Sequence, residues 1–214
     1  MKMLNLKIIF LSLLVSISVC NAKVIFGIGG LYMSKANVYV RDMTNANITS
    51  ITRDETLSYQ GNGLHIMGGG LYEFENVNGL SIRGYMSFDY LKGSQYLTSL
   101  TGIGINVDAG YDMLVASGFE IGLFAGAEAG VSNIKFLDAN IPSTGFFTPY
   151  ANAGLRLLFL HKHSFEFFVK YPIIRESALL RTEMDKNPPN NIQHQYLREI
   201  TFAPIFGLRY VLSL

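Results

Sequence analysis

Residues 63–92 hold a two-residue period for longer than a strand of a soluble sheet normally runs. Leu80, Ile82, Gly84, Met86, Phe88 and Tyr90 share one face, and Ser81, Arg83, Tyr85, Ser87 and Asp89 share the other. Just upstream, Leu64, Ile66, Gly68, Gly70, Tyr72 and Phe74 alternate with His65, Met67, Gly69, Leu71, Glu73 and Glu75. Asn76-Val77-Asn78 supplies the turn between the two runs. Soluble strands are usually about five or six residues long. Strands of twice that length, apolar on one side and charged or glycine-rich on the other, suit a wall that crosses a bilayer.

The start of the chain supports export. Lys2 and Lys7 precede an apolar run from Ile8 to Val19, and Cys20-Asn21-Ala22 offers a small-residue cleavage site, so residues 1–22 are expected to be a signal peptide. That run is too short for a membrane-spanning helix, which needs about twenty residues. The one cysteine lies inside this segment, so residues 23–214 carry neither disulfide nor thiol. Hydrophobic residues make up 49% of the chain and charged ones only 15%, against roughly 25% charged in soluble domains. An apolar exported chain, rich in glycine and aromatics and with no apolar run long enough for a helix to span, points to a chain that crosses with strands. A net charge of +1 gives no case for nucleic acid or for a polybasic membrane patch.

The alternation recurs along the chain. The first strand begins with Val24, Phe26, Ile28, Gly30 and Tyr32 on one face and is expected to extend to about Val40. The fourth runs over 101–112, with Ile103, Ile105, Val107, Ala109 and Tyr111 opposite Gly104, Asn106, Asp108, Gly110 and Asp112. The fifth sets Leu123, Ala125, Ala127 and Ala129 against Phe124, Gly126 and Glu128. The sixth sets Ala151, Ala153, Leu155 and Leu157 against Asn152 and Arg156. The seventh sets Phe165, Phe167 and Val169 against Glu166, Phe168 and Lys170. The eighth covers about 196–214, with Pro204 predicting a bulge or a late start, because proline cannot donate to a ladder.

Eight strands then alternate between long connections, expected at 42–62, 93–100, 132–145 and 173–194, and short ones at 76–78, 113–118 and 160–163. The fold class is therefore all-β: an eight-stranded antiparallel up-and-down transmembrane barrel. Closure satisfies every backbone polar group, which an open edge in lipid cannot do. A soluble sandwich or lipocalin-like barrel would need a polar outer wall, and the polar face here is too small and too glycine-rich to supply one. Apolar-face aromatics gather near strand ends, Tyr72, Phe74, Tyr111, Phe119, Phe159, Phe165 and Tyr210 at one rim and Phe88, Tyr90, Phe147 and Tyr171 at the other, as interfacial girdles do.

In these features the chain resembles the small eight-stranded bacterial outer-membrane barrels, such as the OmpA barrel, OmpX and the opacity proteins. The likeness covers all of 23–214 but is one of architecture. One motif is more specific: Phe206, Leu208, Tyr210, Leu212 and Leu214 alternate to the last residue, as in the carboxyl-terminal strand that the outer-membrane assembly machinery recognises, with leucine where those proteins end in phenylalanine. The resemblance implies the Gram-negative outer membrane as location, the membrane's lipid and lipopolysaccharide as neighbours, and a monomer.

The inward face carries Glu73, Arg83, Asp108, Glu120, Glu128, Arg156, Glu166, Lys170 and Arg209, together with Glu75, Asp89 and Asp112. Eight strands leave room only for side chains, so these residues are expected to form a paired polar plug, with Arg156 opposite Glu166 and Glu73 facing Arg83. In this set acids outnumber bases eight to four, so a narrow cation-preferring pore is the alternative. A lipid-modifying enzyme is the second alternative, but no histidine of His65, His161, His163 and His194 has a serine placed to be its nucleophile. His161 and His163 on a turn make a weak metal site, and no cofactor is expected. The glycine runs lack the context of a phosphate loop. Surface interaction or envelope integrity through the outer loops, toward an unidentified surface ligand, is the expected role.

Overall fold

The computed structural model describes residues 22–45, 50–95, 97–136, 144–174, 176–184 and 193–214. The expected signal peptide lies outside these, apart from Ala22. Among the described residues are eleven strands: β1 (Lys23–Asn45), β2 (Ser50–Glu73), β3 (Leu80–Gln95), β4 (Leu97–Ala116), β5 (Phe119–Phe136), β6 (Thr144–Phe147), β7 (Tyr150–Phe159), β8 (His163–Pro172), β9 (Glu176–Met184), β10 (Gln193–Thr201) and β11 (Ile205–Ser213). They make eight staves. β6 runs on into β7 with a break at Thr148-Pro149, β8 runs on into β9, and β10 runs on into β11 across Phe202-Ala203-Pro204. Neighbouring staves pair antiparallel, and β11 bonds both β8 and β1, which closes the barrel. Val24 and Leu214 exchange backbone hydrogen bonds of 3.2 and 2.8 Å at that closure.

One row of paired residues shows the geometry. It leaves β4 at Asp112 and passes Gly122, Arg156, Glu166, Arg209, Gly29, His65 and Asp89 before returning to β4 at Gly102. The return is displaced ten residues along β4, from position 112 to 102, the stagger of a barrel whose strands tilt about 40° from its axis. The same row carries half of the buried charges, interleaved with glycine.

The faces fall as the alternation predicts. Phe26, Ile28, Ile66, Ile105, Leu123 and Leu208 point outward and are exposed, while the charged residues point inward and are buried. This inverts a soluble protein and matches the apolar outer band, about 25 Å tall, of a transmembrane barrel. At the short-turn rim Phe119, Phe159, Phe165 and Tyr210 form a chain of ring contacts across β5, β7, β8 and β11.

The connections differ from expectation. β4 continues to Ala116, so Ser117-Gly118 alone joins it to β5, with Gly118 at a φ of 74°. At the opposite rim the expected loops 42–62 and 93–100 are largely strand: β1 pairs with β2 as far as Thr44 and Ser50, and β2 with β3 as far as Tyr59 and Gln95. Strand also occupies part of 132–145 and 173–194. Beyond the apolar band both faces of a strand meet water. The hydropathy period therefore vanishes from the sequence although the ladder persists. The irregularity expected at Pro204 separates β10 from β11.

Candidate functional site

The candidate site is the lumen. Strand parity aims one residue in two inward, and short turns bring widely separated residues to the same height. Arg83 is the organising group. Its Nε donates to Asp108 Oδ2 at 3.0 Å and its NH1 to Glu166 Oε1 at 2.5 Å. Glu166 Oε2 accepts from Arg209 Nε at 2.7 Å, and Arg209 NH2 lies 2.7 Å from the same oxygen. Arg209 NH1 donates to His65 Nε2 at 3.2 Å. Because a guanidinium only donates, that nitrogen is unprotonated, and Nδ1 donates to Asp89 Oδ1 at 2.6 Å. Asp89 also pairs with Lys170, whose Nζ lies 2.7 Å from Glu128 Oε2. Ser87, Asn106 and Asn152 extend the chain from Glu128 toward β7. The network draws on every stave but the first, where Gly27 and Gly29 leave room for Met67 and Arg209.

Aromatic rings fill the space between the charges. The Arg83 guanidinium lies 4.2 Å from the Phe124 ring centre and that of Arg209 lies 4.5 Å from Phe168, while the Tyr85 hydroxyl donates to Asp108 at 2.9 Å. These residues are 0–6% exposed, so the charges are held by pairing and cation–π contact. Inward glycines make the fit possible: a Cβ on Gly104 would come within 2.5 Å of Glu128, and one on Gly154 within 2.5 Å of Phe124.

Not every expected member joins. Arg156 is the β-ladder partner of Glu166, yet its guanidinium turns to Asp112 and Ser81. Glu73 does not face Arg83, because the register sets Leu71 opposite Arg83 and Glu73 opposite Ser81. Glu73 sits half exposed at the short-turn rim, paired with Lys23 at 2.7 Å. Glu120 is likewise at that rim, 2.7 Å from His161 Nδ1, and Glu75 is exposed. Deep in the barrel five acids (Asp89, Asp108, Asp112, Glu128, Glu166) meet four bases (Arg83, Arg156, Lys170, Arg209), so most of the acidic excess of the expected inward set lies at the rim.

Sequence reasoning missed two parts of the lumen. His65, Tyr85, Asn106 and Asn152 were assigned to the inner face by parity without a place in the network. Above the network, toward the long-strand rim, the lumen is apolar: Leu31, Met33, Tyr59, Leu91, Leu100 and Ile134 pack with Phe146, Ile200 and Phe202 as one buried cluster. Parity does place Leu31, Leu91 and Ile134 inward. With both faces apolar at that height, hydropathy alone cannot tell lumen from lipid.

The closed ladder, the apolar outer wall and the buried polar interior together define a transmembrane β-barrel of eight staves. No family model and no curated protein sequence matches this chain. Among solved structures it is similar to Neisserial surface protein A (NspA), at 11% identity and a TM-score of 0.40, over 88% of this chain and 97% of that one. It is also similar to Ail, the attachment invasion locus protein of Yersinia pestis, at 9% identity and 0.36, over 88% and 98%. The outer membrane protein OprG from Pseudomonas aeruginosa matches at 10% identity and 0.48, over 90% and 96%. At such identities the likeness concerns the course of the chain alone.

Proposed function

We propose that this chain is a monomeric outer-membrane barrel that acts at the cell surface, in surface interaction or envelope integrity, with its lumen serving as a structural plug. The filled lumen carries this reading. Arg83, Asp108, Glu166, Arg209, Lys170 and Glu128 are each at most 6% exposed, and an apolar cluster of buried side chains lies above them. Ions would have to break a paired, buried network and then cross an apolar layer, so conduction is disfavoured.

The long-strand rim supports a surface role. The β1–β2 ladder continues a further dozen residues past Tyr32, to Thr44 and Ser50, which at about 3.3 Å per residue is roughly 40 Å of strand. β10 and β9 pair beside it. On this reading these extended ladders carry the wall outward from the barrel, where a surface ligand would meet it. No chemistry of its own and no cofactor is assigned. The outward row Phe206, Leu208, Tyr210, Leu212 and Leu214 is assigned to recognition by the outer-membrane assembly machinery.

Replacing 38–57 with a two-residue turn tests the reading on whole cells displaying the protein. The barrel should still migrate as a folded, heat-modifiable band, while attachment of those cells to host-cell and extracellular-matrix surfaces falls to that of cells lacking the protein. Attachment unchanged by the replacement would overturn the assignment to this rim.

A further inference from the structure

The barrel wall has an open seam. The β8–β11 ladder stops at Lys170 and Ile205, and among the described residues pairing between the same two staves resumes at Glu176 and Thr201 in β9 and β10. In between, Pro172 and Pro204 each lack a backbone donor. The nearby backbone bonds point away from the seam: Ile173 N donates to Pro149 O on β7's side at 2.9 Å, and Ser34 N donates to Pro204 O on β1's side at 3.2 Å. β1 also shifts register against β2 between Met33 and Ala36 at this height.

A cavity of about 230 Å³ occupies the seam, lined by Lys35, Ala36, Asn37, Tyr171, Pro172 and residues 201–204. Its floor is apolar. Phe202 and Ala203 are buried and belong to the cluster that caps the lumen, and Phe202 packs edge-on against Phe146 at 5.8 Å. Its mouth is polar: Lys35 and Asn37 are exposed. Ile173 and Ile174 form an exposed apolar shelf beside it. The cavity opens at the height of the outer aromatics Tyr32 and Tyr171, where a bilayer changes from hydrocarbon to headgroup.

We propose that this seam seats one anionic, phosphate-bearing lipid of the surrounding leaflet. The Lys35 ammonium and the Asn37 amide would meet the headgroup phosphate, and the top of one acyl chain would enter between Pro172, Pro204 and Phe202. The charge at the mouth, the apolar floor and the interfacial depth match the three parts of such a molecule in order. The proposal rests on the reading that the chain spans a bilayer with the long-strand rim at a headgroup layer.

The chain contains no tryptophan, so single reporters can be placed cleanly. Tyr171→Trp puts one at the seam, and Tyr90→Trp, made together with Lys92→Gln to remove the exposed lysine beside it, puts one in the outer girdle on the opposite wall. Each full-length variant is reconstituted in phosphatidylcholine vesicles containing a minor fraction of phosphatidylglycerol or phosphatidylcholine brominated near the top of the chains. Quenching of both reporters establishes insertion independently of the site. The seam reporter should see the brominated phosphatidylglycerol enriched about fivefold over brominated phosphatidylcholine, the worth of one lysine at an anionic surface. Tyr90→Trp should see no enrichment, and Lys35→Glu in the Tyr171→Trp background should abolish it. Equal enrichment at both reporters, enrichment at neither, or enrichment that survives Lys35→Glu would overturn the proposal. Loss of all quenching would instead overturn the membrane reading beneath it.

Discussion

Glu166→Gln removes one negative charge from the centre of the lumen while keeping nearly the same volume. Glu166 is fully buried and binds both Arg83 and Arg209 at 2.5–2.7 Å, with Ser164 a more distant donor. With a neutral amide there, Asp108 is the one carboxylate among the described residues that the two guanidiniums keep within 4.0 Å. Removing one partner of a buried ion pair costs about 3–5 kcal/mol, and each 1.4 kcal/mol is about a factor of ten in an equilibrium constant. The folding constant should therefore fall by about two to three and a half orders of magnitude. Glu73→Gln is the matched control. It breaks the exposed pair with Lys23, and exposed pairs are worth about 0–1 kcal/mol. Urea-dependent folding into lipid vesicles, followed by the gel shift between folded and unfolded bands, measures both. Equal urea midpoints for the two variants would refute the claim that the central network is buried and tightly paired.

Two further substitutions probe other layers. Val107→Arg places a charge on the outer wall at mid-height, where Val107 is 58% exposed, and should cost about 2–4 kcal/mol in vesicles, whereas Tyr111→Arg near the rim should cost about 0–1; equal costs would argue that the wall does not face lipid. Gly154→Val drives a branched side chain toward the Phe124 ring that stacks on Arg83, and should lower stability by about 1–3 kcal/mol through overpacking, read from the same urea midpoints, while a neutral result would mean that the lumen is loosely filled.

The barrel was legible in the sequence because one face of each strand meets hydrocarbon, which forces strict alternation. Ile103, Ile105 and Val107 against Gly104, Asn106 and Asp108 is that force written out, and the structure keeps the same parity. Where the solvent changes, the signal ends. The ladder from Asp42 to Thr44 and from Ser50 to Tyr59 continues, but neither face there is required to be apolar, so it reads as loop. The members of the polar interior were visible by parity, whereas their partners were not. Pairing depends on the diagonal reach of long side chains across a tilted wall: Arg156 lies beside Glu166 in the ladder yet bonds Asp112 on the far side of Gly122. The apolar cap formed by Leu31, Leu91 and Ile134 escaped notice because inward leucine beside outward tyrosine gives hydropathy no contrast.

Conductance across a planar bilayer after insertion of the protein tests the central claim most directly. A lumen closed by the Arg83–Glu166–Arg209 network and capped by apolar side chains predicts a silent bilayer, with insertion confirmed by protease protection of the same sample. Steady, cation-selective openings, altered by Glu128→Gln, would contradict it and make the interior carboxylates the working residues of a pore.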